Sequence, residues 1–299
     1  MKNVIFKGVG TALITPFNKS GIDFVCLEKM VERQIESKVD AIIVLGTTGE
    51  PATIEFEERE KIIDFVVRIV NKRVKVVVGC GANSTAKAIS FYKQAQRLGA
   101  DGALIVSPYY NKCTQNGLYL HYKEISESGN LPIIIYNVPS RTGVNILPET
   151  AVKICKLENV VGIKEASGNI SQIVKLFNLC GDKVAIYSGE DSLNAVFMSL
   201  GASGYISVAS NVIPKLVKKT YNLAKEKEFE KMNKLQGKLL LLIDNLFSEV
   251  NPIPIKATMW YIGYCENILR MPLTKMSKDN FEKLKKEINK VMVLENDCL

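Results

Sequence analysis

The sequence contains a single histidine, His121, among its 299 residues. A Ser/His/Asp triad would have to use that one residue, and neither an HExxH motif nor a multi-histidine metal site can be built. Acid–base chemistry must therefore depend on tyrosine, lysine, glutamate or aspartate side chains. We expect no metal site.

Long apolar runs and paired cysteines are also absent. The apolar run at 239–243 is far shorter than the roughly 20 residues that cross a bilayer. The N-terminal apolar run ends at Pro16 and Phe17, where a signal peptide would have a small-residue cleavage site. We expect a cytoplasmic protein with no membrane partner. An odd number of cysteines without a CxxC motif predicts reduced thiols, most of them buried; the seven lie at 26, 80, 113, 155, 180, 265 and 298.

Glycine-rich nucleotide-binding motifs are missing as well. Neither GxGxxG nor GxxxxGK[ST] occurs, and the nearest approach, at 79–84, lacks the third glycine that close helix–strand packing needs. We therefore expect no dinucleotide, and the sequence predicts no other cofactor. The net charge of +8 (39 − 31) could favour nucleic acid, anionic lipid or a small acidic substrate. Because acidic residues interleave with the basic ones at 215–238 and 275–290, we expect solvated helix faces and no nucleic-acid partner.

The chain does contain short β-branched apolar runs, each followed by a segment with helical periodicity. Near-continuous apolar strands that alternate with helices predict a parallel sheet covered on both faces. Eight such units within about 220 residues favour a closed (β/α)8 TIM barrel over an open doubly wound sheet. The predicted strands are 10–15, 41–45, 74–79, 103–107, 132–136, 160–164, 184–188 and 204–208.

Strand-like runs stop after the eighth strand. Helical stretches follow at 229–247, 255–265 and 281–293. We therefore expect a barrel over 1–220 and a C-terminal helical extension, 221–299, that packs on the barrel and is not an independent domain.

Lys164 is the residue hardest to explain as structure alone. It ends the apolar run 160–163, and period-2 alternation places it on the face of Val160 and Gly162, inside the barrel if that face points inward. A lysine buried among apolar groups has a lowered pKa, and its neutral amine is nucleophilic. The alternative is a lysine that pairs with Glu165 or extends out of the barrel mouth. The small residues nearby favour a Schiff-base lysine.

Other polar residues follow neighbouring strands. Tyr136 ends the fifth strand and could carry a proton, although a core tyrosine bonded to a backbone carbonyl is the usual alternative. Thr47 and Thr48 lie between two glycines and could bind a carboxylate, unless they form a simple turn. Arg141 lies in a turn that ends at Gly143, and its planar guanidinium suits a second carboxylate, although an isolated surface arginine is the default.

Six motifs in this order resemble the pyruvate-dependent class I aldolase family over residues 8–273. The resemblance is closest to members that condense pyruvate with L-aspartate 4-semialdehyde to 4-hydroxy-tetrahydrodipicolinate, in lysine and diaminopimelate biosynthesis. The motifs are GTTGE (46–50), SPYYN (107–111), YNVPSRTG (136–143), GIKEASGN (162–169), YSGED (187–191) and NPIPIK (251–256).

The resemblance implies roles for individual residues. Lys164 resembles the lysine that forms an imine with pyruvate. Tyr136, Thr47 and Tyr110 resemble a proton relay in which Tyr110 comes from the neighbouring subunit of a tight dimer, commonly within a tetramer built as a dimer of dimers. The resemblance also implies four substrate contacts: Thr48 for the pyruvate carboxylate, Arg141 for the semialdehyde carboxylate, and Gly189 and Ile206 for the pyruvate pocket.

Two other functions remain open. A related aldolase, such as an N-acetylneuraminate lyase or a keto-deoxy sugar acid aldolase, usually lacks an arginine at the position of Arg141. A non-catalytic barrel that binds a keto acid is expected to lack a member of the relay.

The resemblance breaks down at the cleft where some family members bind lysine as an inhibitor. Asn83 and Tyr109 match that pattern, but four other positions do not. We therefore expect weak or absent inhibition by lysine. The four departures are Pro51, Phe56, Arg59 and Lys87.

Overall fold

Eight parallel strands close into a barrel in this computed structural model, which describes residues 2–298. The barrel strands are β1 Gly8–Ala12, β4 Ala41–Val44, β5 Lys75–Gly79, β6 Gly102–Val106, β7 Ile133–Asn137, β8 Val160–Glu165, β9 Ala185–Ser188 and β10 Gly204–Ser207. Their order around the barrel is β1-β10-β9-β8-β7-β6-β5-β4, so the predicted (β/α)8 fold is confirmed.

A small hairpin formed by β2 (Phe17–Asn18) and β3 (Gly21–Ile22) follows the first strand and was not predicted. Strands of two residues are too short to show an alternating pattern. The predicted strand bounds elsewhere differ from the observed ones by one to three residues at an end, as is usual for element boundaries.

Helices surround the barrel, and several begin where a polar side chain caps the first turn. Asp23 accepts from the Cys26 N–H at 2.9 Å, and Asn169 accepts from the Gln172 N–H at 3.0 Å. Such caps satisfy backbone donors that have no partner within the helix. The helices are α1 Phe24–Glu36, α2 Phe56–Val70, α3 Thr85–Arg97, α4 Gln115–Glu127, α5 Pro139–Thr142, α6 Pro148–Ile154, α7 Ile170–Cys180, α8 Asn194–Ser199, α9 Pro214–Lys225, α10 Phe229–Leu246, α11 Ile253–Tyr261 and α12 Lys278–Asn296.

The apolar residues form an outer core between strands and helices and an inner core within the barrel. The inner core is closed at the N-terminal end by Phe6, whose ring stacks on Tyr187 with centroids 4.6 Å apart. Side chains of the described residues therefore fill the N-terminal end of the barrel, and its C-terminal end is where a ligand is expected to bind.

The C-terminal helices pack on the barrel. Glu295 of α12 accepts from the backbone N–H groups of Lys215 and Leu216, at 3.0 and 2.9 Å, and so caps α9. Gln236 of α10 donates to the Asp191 carbonyl, at 2.9 Å. Helix α9 crosses the predicted boundary at 220/221. The division into 1–220 and 221–299 stays a prediction, and residues 1 and 299 at its ends lie outside the described part.

The seven cysteines are free thiols, and five of them are buried. Among residues 2–298, no helix combines the length and the hydropathy that a membrane crossing requires.

Candidate active site

A cavity of about 670 Å3 opens at the C-terminal ends of the barrel strands. Its walls come from loops after several strands and from a segment of the C-terminal region. The lining residues are Ala12, Ile43, Gly46, Thr47, Thr48, Leu104, Tyr136, Val138, Ser140, Arg141, Lys164, Ala166, Gly189, Glu190, Val208, Phe247, Ser248, Glu249, Val250 and Asn251. Ligands of (β/α)8 enzymes bind at this end of the barrel.

Lys164 lies in β8 and extends into this cavity with only 5% of its surface exposed. Its Nζ lies 4.3 Å from the centroid of the Tyr136 ring on the adjacent strand. Glu165 points to the other side of the sheet, where it accepts from the Asn137 amide at 3.0 Å. No ion pair among the described residues includes Lys164, so the alternative of a Lys164–Glu165 pair is wrong.

One detail of the predicted alternation is wrong. The pairing of β7 with β8 skips a residue, because Ile133 pairs with Val160 but Ile134 pairs with Gly162. This irregularity places Val161 in the inner core and Val160 in the outer core. Val160 is therefore not on the face of Lys164, since a bulge shifts the alternation by one residue.

Burial lowers the pKa of Lys164 from 10.5 to about 8. Asp191 and Glu190 raise this pKa and Arg141 lowers it, but the loss of hydration is the largest effect. Near neutral pH a much larger fraction of the amine is therefore unprotonated than in a solvated lysine. An unprotonated amine can attack a carbonyl carbon.

Gly189 makes room for the Lys164 side chain. A Cβ atom at this position would lie 2.8 Å from Cε of Lys164 and 2.9 Å from Cβ of Ala166. Any larger residue would have to displace the lysine or its neighbour. The glycine at the end of β9 thus allows an extended lysine in the barrel mouth.

Tyr136 is buried beside Lys164, and its hydroxyl group differs from those of other buried tyrosines. The hydroxyls of Tyr92, Tyr122 and Tyr187 donate to backbone carbonyls at 2.6–3.0 Å, whereas that of Tyr136 makes no such bond within the described chain. Burial raises the pKa of Tyr136 to about 12, against smaller lowering effects of Arg141 and the Thr47 hydroxyl. The phenol is therefore protonated at neutral pH and available to a ligand.

Two groups suited to carboxylates lie on opposite loops of the cavity. Thr47 and Thr48 belong to a short 3-10 turn, and Thr48 is buried. Arg141 lies in α5 at the exposed rim. Asn251 connects the two groups, because its amide Nδ2 donates to Thr48 Oγ1 and its backbone carbonyl accepts from Arg141 Nη2, each at 3.0 Å.

Two of the predicted site residues do not line the cavity. Ile206 is buried in the inner core, in the same cluster as Tyr136. Tyr110 is 91% exposed, has a positive φ of 73° and is not among the residues that line the cavity. The structure therefore assembles Lys164, Tyr136 and Thr47, but not Tyr110, within one chain.

Sequence reasoning assigned no role to Glu50 or Lys256, although both lie in quoted motifs. Their side chains are 1% and 0% exposed, and they form an ion pair with Oε1 and Nζ 2.5 Å apart. Lys256 also donates to the Ile268 carbonyl at 2.7 Å, and Glu50 accepts from the Arg270 N–H at 3.0 Å. This buried pair ties the C-terminal segment to the loop that carries Thr48.

The single histidine lies outside the cavity. His121 is buried in α4, where its Nδ1 lies 3.0 Å from Thr85 Oγ1, and burial lowers its pKa to about 4. It is therefore neutral at physiological pH and takes no part in the site.

A second cavity, of about 460 Å3, shares lining residues such as Thr47 and Arg141 with the first and contains part of the cleft expected for lysine. Pro51, Arg59, Lys87 and Tyr109 line it, whereas Phe56 and Asn83 do not. The guanidinium carbon of Arg59 lies 3.8 Å from the centroid of a phenylalanine ring, and its Nη2 donates to the Gly79 carbonyl at 2.8 Å. Arg59 and Lys87 thus place cationic side chains in the walls of this cavity, which Arg141 and the acidic residues Glu50 and Glu55 also line.

Comparisons of the sequence and of the structure with known proteins match the same family over nearly the whole chain. The sequence profile of the dihydrodipicolinate synthetase family matches residues 5–291. A 4-hydroxy-tetrahydrodipicolinate synthase of Alkaliphilus oremlandii is 48% identical over 290 residues, which is 97% of this chain and 100% of that protein. The dihydrodipicolinate synthase of Thermotoga maritima superposes with a TM-score of 0.95 at 45% identity, covering 97% of this chain and 99% of that one. A synthase of Acinetobacter baumannii, solved in complex with pyruvate, gives a TM-score of 0.94 at 40% identity, covering 98% and 100%.

Proposed function

We propose that this chain, which belongs to the dihydrodipicolinate synthetase family, condenses pyruvate with L-aspartate 4-semialdehyde to give 4-hydroxy-tetrahydrodipicolinate. This lyase reaction is a step of lysine and diaminopimelate biosynthesis. The observation that carries the proposal is the Lys164 amine, which is buried, has no ion-pair partner among residues 2–298 and has a pKa lowered to about 8. Such an amine can form an imine without a metal or a histidine.

The reaction begins when the neutral Lys164 amine adds to the keto carbon of pyruvate and the adduct loses water. The resulting iminium withdraws electrons, so that a methyl proton leaves and an enamine forms. The enamine carbon then attacks the aldehyde of the second substrate, and the aldehyde oxygen takes up a proton. The amino group of that substrate next displaces the Lys164 amine from the imine carbon, which closes the ring and releases the product. In this proposal Tyr136 and Thr47 move the protons, Thr48 binds the pyruvate carboxylate, and Arg141 binds the semialdehyde carboxylate at the rim.

Gly189 and Ile206 have supporting roles in the pyruvate pocket. Gly189 leaves the space through which Lys164 reaches the cavity, as its contacts with Lys164 Cε and Ala166 Cβ indicate. Ile206 supports Tyr136 from within the inner core.

The proton relay also includes Tyr110, acting on the site of a neighbouring subunit. Its exposure of 91% suits a side chain that becomes buried only in an assembly. We infer a homotetramer built as a dimer of dimers, as the resemblance to the family implies, and we place it in the cytoplasm. A folded monomeric variant is expected to lose most activity, and normal turnover by such a monomer would contradict the role of Tyr110.

Borohydride reduction in the presence of pyruvate tests the central step. Mass analysis is expected to find the reduced adduct on the peptide that contains Lys164, and Lys164→Ala is expected to abolish both adduct and turnover. An unmodified peptide would favour a non-catalytic keto-acid binder. Faster turnover of pyruvate with N-acetylmannosamine than with the semialdehyde would favour a related aldolase of the N-acetylneuraminate lyase type.

A further inference from the structure

Asn251 lies outside the barrel in sequence but inside the active site in space. It belongs to the segment between α10 and α11, and the residue is only 5% exposed where it lines the cavity. One face of the residue contacts Thr48 and the other contacts Arg141. A single residue thus joins the two groups to which the proposed function assigns the two substrate carboxylates.

The direction of the bond between Asn251 and Thr48 determines what the threonine can do. A hydroxyl group donates one hydrogen bond and accepts up to two. Because the amide Nδ2 of Asn251 donates to Thr48 Oγ1 at 3.0 Å, it uses an acceptor position and leaves the hydroxyl proton free. Thr48 Oγ1 makes no other hydrogen bond within residues 2–298. A carboxylate needs donors, so this arrangement prepares Thr48 for an anion.

We propose that Asn251 is a positioning residue for pyruvate, because its amide holds the Thr48 hydroxyl with the proton directed to the keto-acid carboxylate. This inference rests on the proposed function. Arg141 is held by the backbone carbonyl of Asn251, not by its side chain. The two substrates therefore depend on different parts of the same residue.

The backbone of the segment is fixed independently of the Asn251 side chain. The Ile253 N–H donates to the Val250 carbonyl at 2.8 Å. Lys256 of the same segment forms a buried ion pair with Glu50, which lies two residues after Thr48 in the chain, and this pair anchors the segment. Replacement of the side chain is therefore expected to keep the contact with Arg141.

Two variants separate orientation from packing. Asn251→Ala removes the donor, and we expect the pyruvate concentration that gives half-maximal borohydride trapping to rise about tenfold, equivalent to about 1.4 kcal/mol. The KM for the semialdehyde should change less than about twofold, because the carbonyl that holds Arg141 remains. Asn251→Asp has nearly the same shape, but its carboxylate would accept the Thr48 proton and repel the substrate anion, so we expect a larger rise than with alanine.

A double-mutant cycle and a matched control complete the test. In a Thr48→Val background, Asn251→Ala should add no further loss, since the hydroxyl that it orients is gone. Asn245→Ala removes an amide of α10 that donates to the Leu241 carbonyl outside the cavity, and it should leave trapping unchanged.

Three results would overturn the inference while leaving the proposed function intact. They are trapping by Asn251→Asp equal to that of the wild type, an equal rise of both half-saturating concentrations in Asn251→Ala, and a full additional loss in the Thr48→Val background. Absence of the pyruvate adduct in the wild type would instead contradict the proposed function.

Discussion

Replacement of Lys164 by methionine is expected to stabilise the protein and abolish its activity. Burial lowers the pKa of this amine from 10.5 to about 8, so the native state binds its proton more weakly than the unfolded chain does. Since one pKa unit corresponds to about 1.36 kcal/mol, burial of the protonated amine lowers the free energy of unfolding by roughly 3 kcal/mol below pH 8. Methionine occupies a similar volume without a charge and avoids this loss.

The pH dependence gives the sign of the effect. Between about pH 8 and pH 10.5 the unfolded chain retains a proton that native Lys164 has released, so wild-type stability rises with pH across that window. The loss of stability caused by the buried charge is fully present below pH 8 and disappears as the pH passes 10.5. The stability advantage of Lys164→Met should therefore be about 3 kcal/mol at neutral pH and should narrow through the window to the difference in packing alone.

Denaturant unfolding of both proteins at neutral pH, at pH 9 and near pH 10.5 measures this advantage. Lys238→Met is the control, because Lys238 is exposed on α10 and its replacement should produce no such pH-dependent gap. A Lys164→Met protein that is less stable than the wild type at neutral pH would refute the reasoning. So would an advantage that stays constant across the window.

Three other substitutions or additions test the site. Gly189→Ala would place a Cβ 2.8 Å from Lys164 Cε. We expect the variant to be folded by circular dichroism but its kcat/KM for pyruvate to fall at least about tenfold. Unchanged kinetics would contradict the packing argument. Lys256→Met leaves Glu50 buried without its cation and should cost about 3–5 kcal/mol of unfolding free energy, whereas the double variant with Glu50→Gln should cost less than the sum of the single changes. Additive losses would show that the pair contributes little. Sub-millimolar lysine should not slow turnover, since Lys87 places positive charge in the expected lysine cleft, and inhibition in a steady-state assay would be evidence against this.

The barrel could be predicted from sequence because each strand is a short apolar run and each helix follows with its own period. These signals are local, and the strand signals are strong because parallel strands that are buried on both faces consist almost entirely of apolar residues. The bulge in β8 could not be predicted, since it depends on how Ile133 and Ile134 pair with the neighbouring strand. The alternation rule was therefore right for Gly162 and Lys164 but wrong for Val160.

The barrel-mouth residues could be predicted for a similar reason. Tyr136 and Lys164 are the last residues of predicted strands, Thr47 lies two residues beyond another, and the strand ends meet at one edge. Asn251 gave no such signal, because its contacts with Thr48 and Arg141 join positions 203 and 110 residues apart. Only the motif NPIPIK marked the segment, without indicating what it contacts.

Two lysines show most clearly where the sequence signal ends. Lys164 and Lys256 each follow an apolar stretch, and both are almost completely buried, so burial lowers the pKa of each. The Lys256 amine has the Glu50 carboxylate 2.5 Å away to oppose that effect, whereas Lys164 has a tyrosine ring 4.3 Å away and no paired carboxylate among the described residues. The first arrangement favours a charged amine that ties two segments together, and the second favours a neutral nucleophile. The difference is set by an acid far away in sequence, so a local pattern alone cannot separate a structural lysine from a reactive one.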